Sequence, residues 1–337
     1  MNSRERVRAI IAGQAPDRCA FWLGNPSPET WPIYHAYFGT TDEQAIRRHL
    51  GDDLTWVCPD LIPECYRHPR YRPMFPAVEE QATHGAPGPL AACQRVAELN
   101  DYEWPDPAYL DFEPCLEALR RAGPLYRASG MWTPFFHIVM ALFGFESYLT
   151  KMYSHPDVVS AATDRVCAFF YEANERYYAA ARTQIDGYFF GNDFGTQQDL
   201  LISPKLFERF ILPWFRRFTA QGHAHGYQVI LHSCGSIHRI VDRLIETGVD
   251  CLHPLQALAR NMDAATLARD FKGRLAFMGG IDTQDLLVNA TPEQVRAEVR
   301  RVRGLLGPNL IVSPSHEALL PNVPPGNVAA MAAAAHE

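Results

Sequence analysis

The stretch that decides the fold is residues 227–253, which read YQVILHSCGSIHRIVDRLIETGVDCLH. Its two ends, residues 227–232 and 249–253, are rich in β-branched and other apolar residues, as strands are. Between them, apolar side chains recur at helical spacing from Ile237 to Ile245, and Gly248 stands where a helix would end. The stretch therefore predicts a strand, a helix and a second strand, with the two strands parallel and adjacent.

Outward from this unit, six further β-rich runs alternate mostly with helical patterns. They cover residues 19–23, 55–58, 125–129, 185–190, 274–278 and 309–313. Eight strands separated by helices predict an α/β fold, a (β/α)8 TIM barrel, and we assign residues 1–337 to a single domain of this kind. Residues 59–114 carry 10 of the 26 prolines, and we expect them to form a long excursion over the C-terminal mouth of the barrel.

The composition narrows the classes of partner. The 337 residues carry 31 basic and 38 acidic side chains, a net charge of -7, which argues against nucleic acid as the main partner. No apolar run reaches the roughly 18 residues of a membrane span, and the charged residues 1–6 do not resemble a signal peptide. Eight cysteines at irregular spacings are typical of reduced thiols, so we expect a cytoplasmic protein. We expect it to be a monomer or a homodimer.

In a TIM barrel the chemistry lies at the C-terminal ends of the strands. His232 and Cys234 follow the fifth predicted strand at positions i and i+2, which point to the same side of an extended chain. An imidazole and a thiolate so placed are two natural ligands of zinc, and a catalytic zinc needs a third protein ligand beside an open position. The candidates for that third ligand lie at the ends of the sixth and eighth strands: Cys251, His253, His316 and Glu317.

Asp193 is a second candidate for the chemistry, because a carboxylate that follows a buried strand between two glycines can face a bound molecule. Further residues that could bind a substrate are Asn25, Trp132, Tyr188 and Asp282. Purely structural roles fit the same residues. His232 could be a satisfied polar residue at a strand end and Cys234 a small buried one, while Asp193 or Asp282 could cap a helix.

Several segments together resemble the uroporphyrinogen decarboxylase superfamily over nearly the whole chain. They are residues 4–7 (RERV), 16–18 (PDR), 50–53 (LGDD), 104–107 (WPDP), 193–197 (DFGTQ), 201–204 (LISP), 232–235 (HSCG), 277–282 (FMGGID) and 321–325 (PNVPP). Within this superfamily, the chain is most similar to the zinc-dependent methyltransferases that serve corrinoid proteins.

Two places separate the branches of the superfamily. Porphyrin decarboxylases carry an arginine-containing signature near the first strand that binds substrate carboxylates, whereas residues 21–27 of this chain contain no arginine. The methyltransferase branch has His-x-Cys after the fifth strand, which His232 and Cys234 match, and a cysteine after the eighth, where this chain has His316. The resemblance therefore implies one zinc ion per chain on His232, Cys234 and His316.

The resemblance also implies a reaction. A thiol bound at the zinc would lose its proton and attack a methyl group, with His232 and Asp193 as catalytic residues and Asp193 orienting the substrate or accepting a proton. The other partner would be a small methylated compound or a corrinoid. The chain has no corrinoid-binding Asp-x-His-x-x-Gly, so the corrinoid would belong to a separate protein. Two alternatives remain: a metal-free decarboxylase or lyase that uses Asp193, and a binding barrel without catalysis.

Overall fold

The computed structural model describes residues 1–76 and 87–337. Eight strands, each paired in parallel with its neighbours, form a nearly closed barrel in the order β1-β8-β7-β6-β5-β4-β3-β2. They are β1 (Ala20–Phe21), β2 (Leu54–Trp56), β3 (Tyr126–Ser129), β4 (Gly187–Gly191), β5 (Gln228–His232), β6 (Cys251–His253), β7 (Ala276–Ile281) and β8 (Leu310–Pro314). The predicted TIM barrel is confirmed, and each predicted strand overlaps an observed one.

Most of the described helices pack around the outside of this barrel. They are α1 (Ser3–Ile11), α2 (Trp31–Phe38), α3 (Glu43–Leu50), α4 (Glu113–Arg121), α5 (Phe135–Phe143), α6 (Phe145–Ser154), α7 (Pro156–Ala181), α8 (Pro204–Phe210), α9 (Leu212–Ala224), α10 (Val241–Glu246), α11 (Ala264–Phe271), α12 (Leu286–Asn289), α13 (Pro292–Leu306) and α14 (Pro325–His336). Among the residues that the structure describes, no helix combines the length and the apolar character needed to cross a bilayer.

The proline-rich excursion begins at the barrel mouth and then packs along the outside. Its described part contains short 3-10 turns at Pro59–Leu61, Pro63–Cys65, Val96–Asp101 and Pro107–Tyr109, while residues 77–86 lie outside the described part. At the mouth, Asp60 accepts a hydrogen bond of 2.7 Å from the backbone N–H of Trp132 in the loop after β3. Further along, Arg176 of α7 donates to the carbonyl of Pro107.

The barrel interior is apolar at the N-terminal end of the strands and becomes polar toward the mouth. Its buried apolar residues include Leu54, Ala128, Phe189, Ile230, Cys251, Ala276, Met278 and Ile311, with Val7, Ile10 and Ile11 of α1 packed against them. Successive residues of a strand alternate between its two faces, so the residues two positions after Ile230 and Cys251 also point inward. These residues are His232 and His253, which place imidazoles at the mouth.

Candidate active site

Two histidines meet at the mouth of the barrel. His232 is the last residue of β5, His253 is the last residue of β6, and the two are paired in register. Their Nδ1 atoms lie 3.0 Å apart, and the two residues are only 4% and 0% exposed. The rings are enclosed by aromatic side chains, since Trp22 and Phe189 both pack edge-on against His253. The mouth therefore holds a buried imidazole pair where the layers below hold apolar residues.

The Nε2 side of His232 meets a thiol and a carboxylate. The Sγ atom of Cys234 lies 3.3 Å from Nε2 of His232, and Oδ1 of Asp193 lies 3.2 Å from the same nitrogen. The backbone N–H of Cys234 also donates a hydrogen bond of 2.8 Å to Oδ1 of Asp193. Ligand atoms of the three residues all lie within 4.8 Å of one another. We call these three residues the thiol cluster.

Two glycines allow the loops after β4 and β5 to approach closely enough to build the thiol cluster. Gly235 has a φ of +82°, which L side chains rarely adopt, and a Cβ there would lie 2.3 Å from the carbonyl oxygen of Gly195. A Cβ on Gly195 would in turn lie 2.6 Å from the backbone nitrogen of Ser236. A side chain at either position would push apart the two loops that carry Asp193 and Cys234.

The Nδ1 side of His232 meets a second group. Oε2 of Glu317 lies 3.4 Å from Nδ1 of His232, and ligand atoms of His232, His253 and Glu317 all lie within 4.8 Å of one another. The loop after β1 holds Glu317 in place, because the backbone N–H of Asn25 donates to its carbonyl at 2.7 Å. Within the described chain, Nε2 of His253 and Oε2 of Glu317 are buried without a hydrogen-bond partner.

The charges in the cluster follow from these contacts. Burial lowers the pKa of His232, but Glu317, Asp193 and Cys234 together raise it well above its usual range. Burial raises the pKa of Asp193, yet the hydrogen bond and positive charge of His232 hold it below its usual range. For His253, burial lowers the pKa well below 6.5, and the charge of His232 lowers it further. In the metal-free arrangement, His232 is a cation between two carboxylates and His253 is neutral.

Three sequence-predicted residues lie at or near this cluster. The ring of Trp132 packs edge-on against His232, with 5.2 Å between ring centroids. Asn25 reaches Glu317 only through its backbone N–H. His316 has its ring centroid 6.2 Å from that of His232, and its Nδ1 accepts a hydrogen bond of 3.1 Å from the backbone N–H of Ala318. His316 therefore belongs to neither of the two groups of ligand atoms.

Three other predicted residues do not reach the cluster. Tyr188 is fully buried on the outer face of β4, where its ring stacks on Phe190 and its hydroxyl contacts Thr133 and Asn174. The carboxylate of Asp282 accepts hydrogen bonds from the backbone of residues 284–286 and so caps the turn after β7. Cys251 lies one layer below His253 in the barrel core. Tyr188 and Asp282 therefore have structural contacts of their own, and their substrate-binding roles stay predictions.

His137, a neighbour of the thiol cluster, could not be identified from a sequence pattern. His137 lies on α5, inside the apolar run Phe135–Phe143, where a lone histidine has no spacing that links it to another ligand. It is close enough to Asp193 for the two charges to interact, although burial still lowers the pKa of His137. Only the fold brings α5 to the loop after β4.

Comparison with known proteins places the chain in a family. The family model described as uroporphyrinogen decarboxylase (URO-D) matches residues 90–337. The chain belongs to the uroporphyrinogen decarboxylase family. A solved structure, the methyltransferase from Methanosarcina mazei, has the same fold: the TM-score is 0.67 at 16% sequence identity, covering 99% of this chain and 98% of that chain. No curated protein matches the chain. The superfamily predicted from the sequence is confirmed.

The mouth of this uroporphyrinogen decarboxylase family member fits a metal ion. The thiol cluster offers an imidazole nitrogen, a thiol sulfur and a carboxylate oxygen, which are the three donor types that zinc takes from proteins. Burial raises the pKa of the Cys234 thiol, so a thiolate there needs a cation beside it. Buried groups without partners, as at His253 and Glu317, are also costly unless something compensates them. The donor set and its electrostatics therefore suit zinc.

Proposed function

We propose that the protein is a zinc-dependent methyltransferase that moves a methyl group between a thiol and either a small methylated compound or a separate corrinoid protein. The observation that carries this proposal is the thiol cluster of His232, Cys234 and Asp193 at the barrel mouth. The fold shared with the methyltransferase from Methanosarcina mazei agrees with it. The reduced cysteines expected from the sequence fit a cytoplasmic place of action.

His232 and Cys234 would hold one zinc ion per chain through Nε2 and Sγ. Zinc at this place would lower the pKa of a bound substrate thiol and keep it as a thiolate at neutral pH. The surrounding residues prepare His232 for this role. Its Nδ1 faces Nδ1 of the neutral His253 and the carboxylate of Glu317, so the proton stays on Nδ1 and the lone pair of Nε2 points toward Cys234.

The third ligand is where the geometry departs from the sequence-based hypothesis. Nδ1 of His316 accepts a hydrogen bond from the backbone N–H of Ala318, and His316 belongs to neither group of clustered ligand atoms. Asp193, in contrast, already has Oδ1 within 3.2 Å of Nε2 of His232. We therefore propose Asp193 as the third donor in place of His316.

Asp193 does not act as a strong base in this proposal. Beside the cationic form of His232 its pKa lies below its usual range, and a zinc ion on Nε2 in place of that proton would likewise keep the carboxylate ionised. Its side chain is 40% exposed, which leaves it accessible from the mouth. Asp193 would therefore bind the zinc ion and orient the substrate. The ring of Trp132 packs against His232 and restricts the access of water to that side of it. A corrinoid protein would have to approach this same open end of the barrel.

Metal content tests the proposal directly. Protein purified without chelators or a histidine tag should contain about one zinc per chain. Cys234→Ala should lose the zinc, whereas Cys251→Ala, a cysteine one layer deeper in the core, should keep it. Asp193→Asn should weaken zinc binding more than His316→Ala does. An absence of zinc in the wild-type protein, or equal zinc in both cysteine variants, would overturn the proposal.

A metal-free decarboxylase or lyase is the second candidate, and the family match favours it. The cation on His232 next to Asp193 would be its chemical centre. No arginine or lysine is among the hydrogen-bond or ionic partners of the cluster in the described chain, so a substrate with many carboxylates has no obvious binding group there. Full activity in metal-free protein on a small carboxylated substrate would favour this candidate.

A further inference from the structure

A cavity of about 940 Å³ opens beside the thiol cluster, between the start of the excursion and the loop after β3. Trp132 links the two, because its ring lines the cavity and also packs 5.2 Å from His232. Gly191 makes this position of the indole possible, since a Cβ at Gly191 would lie 2.0 Å from the ring of Trp132. The cavity therefore lies one side chain away from the proposed zinc ligands.

Among the residues that the structure describes, the inner wall of this cavity combines aromatic rings with a single carboxylate. The rings come from Tyr66, Phe75, Trp132 and Phe170. The carboxylate is that of Asp60, whose Oδ1 accepts hydrogen bonds from the backbone N–H of Trp132 and from the thiol of Cys58. In the described part of the chain, no basic side chain pairs with Asp60, and burial raises its pKa, as is expected for a carboxylate without an opposing cation.

Two guanidinium groups line the outer rim of the cavity, those of Arg67 and Arg72. Arg67 pairs with Asp111 at 2.8 Å, and Arg72 shares the carboxylate of Glu103 with Arg70, which does not line the cavity. The side chains of Arg67 and Arg72, which line the cavity, are 65% and 39% exposed and can reach a ligand from the solvent side.

We propose that this cavity binds a small methylated zwitterion, a quaternary ammonium compound with a carboxylate tail. The ammonium head would lie against the ring of Trp132 and face Asp60, because aromatic faces and a carboxylate attract a weakly hydrated cation. The tail would lie at the rim, where Arg67 and Arg72 can bind a carboxylate. A neutral or purely anionic ligand would leave Asp60 without a counter-charge.

The role of such a ligand as methyl donor rests on the proposed function, and it also requires the ring of Trp132 to move aside, because that ring separates the cavity from His232. Transfer from the ammonium head to a thiolate would break one C–N bond, leave its electron pair on nitrogen and form one C–S bond. A trimethylammonium cation and a thiolate would thus give a neutral dimethylamino group and a methyl thioether. Binding in the cavity does not depend on this step, so the two proposals can fail separately.

Isothermal calorimetry on the protein as purified tests the binding with glycine betaine as the probe. Its matched control is tert-butylacetate (the 3,3-dimethylbutanoate anion, not the ester), which has the same shape and the same carboxylate but a neutral head. We expect glycine betaine to bind at least about tenfold more tightly. We expect choline, which has the head without the carboxylate, to bind more weakly than glycine betaine. Equal binding of betaine and tert-butylacetate, or no binding of betaine, would overturn the assignment of the head site.

Variants place the binding in this cavity. Asp60→Asn keeps an oxygen for the N–H of Trp132, so it should bind glycine betaine about tenfold more weakly and leave tert-butylacetate binding unchanged. The control is Glu64→Gln, because Glu64 is an exposed acidic residue that does not line the cavity. It should change the binding of neither glycine betaine nor tert-butylacetate. Cys234→Ala should keep betaine binding even where zinc is lost. Loss of betaine binding in Cys234→Ala, or its retention in Asp60→Asn, would contradict the proposal.

Discussion

The two ends of the barrel use the same kinds of side chain in opposite ways. At the N-terminal end of the strands, Asp53 is fully buried and accepts hydrogen bonds of 2.7 to 3.1 Å from Arg6, Arg18 and the backbone N–H of Phe21. At the C-terminal end, Oε2 of Glu317 is buried and lies 3.4 Å from Nδ1 of His232, but it has no hydrogen-bond partner in the described chain. The oxygens of Asp53 are thus satisfied at one end, whereas Oε2 of Glu317 and Nε2 of His253 at the other end have no hydrogen-bond partner in the described chain.

The contrast separates stability from function. A buried carboxylate with every oxygen satisfied resists change, because the removal of one partner leaves the others unpaired in a region of low dielectric. A cluster with free lone pairs is costly to the fold and is retained where a ligand completes it. Changes at the N-terminal end should therefore act on unfolding, and changes at the mouth should act on metal binding and rate.

The largest expected effect is that of Cys234→Ala on the rate. Loss of a zinc ligand should remove several kcal/mol of transition-state stabilisation. The rate of thiol methylation should therefore fall roughly a thousandfold or more. Urea unfolding of both proteins in the presence of a chelator should differ by no more than about 1 kcal/mol, because the side chain is small and only partly buried. If Cys234→Ala lost much stability and kept its rate, the mouth would serve stability and not function, and the prediction would be wrong.

Asp53→Ala should have the opposite effect, a large loss of stability with an unchanged rate. It leaves Arg18 and the backbone N–H of Phe21 without that carboxylate and Arg6 with only the carboxylate of Asp17, so the free energy of unfolding should fall by about 3 to 5 kcal/mol. The rate per folded molecule and the zinc content should stay at wild-type values. The control is Glu117→Ala, which removes an exposed ion pair with Arg121 and should cost less than about 1 kcal/mol. Similar urea midpoints for the two variants would contradict this prediction.

The barrel could be predicted from the sequence because strands and helices leave different periodicities. The finer placement could not, as β4 illustrates. Both faces of a parallel barrel strand are buried, so the aromatic run Tyr188, Phe189 and Phe190 shows no alternation between inside and outside. The structure turns Phe189 inward and Tyr188 outward. The sequence therefore could not tell that Tyr188, a predicted substrate-binding residue, packs on the outer face of β4.

The candidate site shows the same limit. His232 and Cys234 could be paired from sequence because they are two residues apart on one strand end. The approach of Asp193 depends on the contact between Gly195 and Gly235, which joins two loops that are distant in sequence. The orientation of His316 depends on a hydrogen bond within its own loop. Contacts between loops are set by packing and leave no local pattern.

A smaller effect is expected from Glu317→Gln, which keeps the shape of the side chain and removes its charge. Glu317 helps to hold the proton on Nδ1 of His232, so zinc affinity, measured by competition with a chelator, should fall about 10- to 100-fold. Glu246→Gln, an exposed acid at the end of α10, should leave the affinity unchanged. Unchanged zinc affinity in Glu317→Gln would show that His253 alone orients the ring of His232.

The smallest expected effect concerns acid stability at the N-terminal end. The hydrogen bond from Arg6 lowers the pKa of Asp17 from its usual 3.8, so the folded state binds a proton less readily than the unfolded chain. The stability from this pair is therefore present above about pH 4 and is lost as the pH falls further. Because the side chain of Asp17 is 39% exposed, the contribution is about 1 kcal/mol. Urea unfolding should find Asp17→Asn less stable than wild type by that amount at pH 6 and nearly equal to it at pH 2. A difference that persists at pH 2 would mean that Asp17 acts through the shape of its side chain and not through its charge.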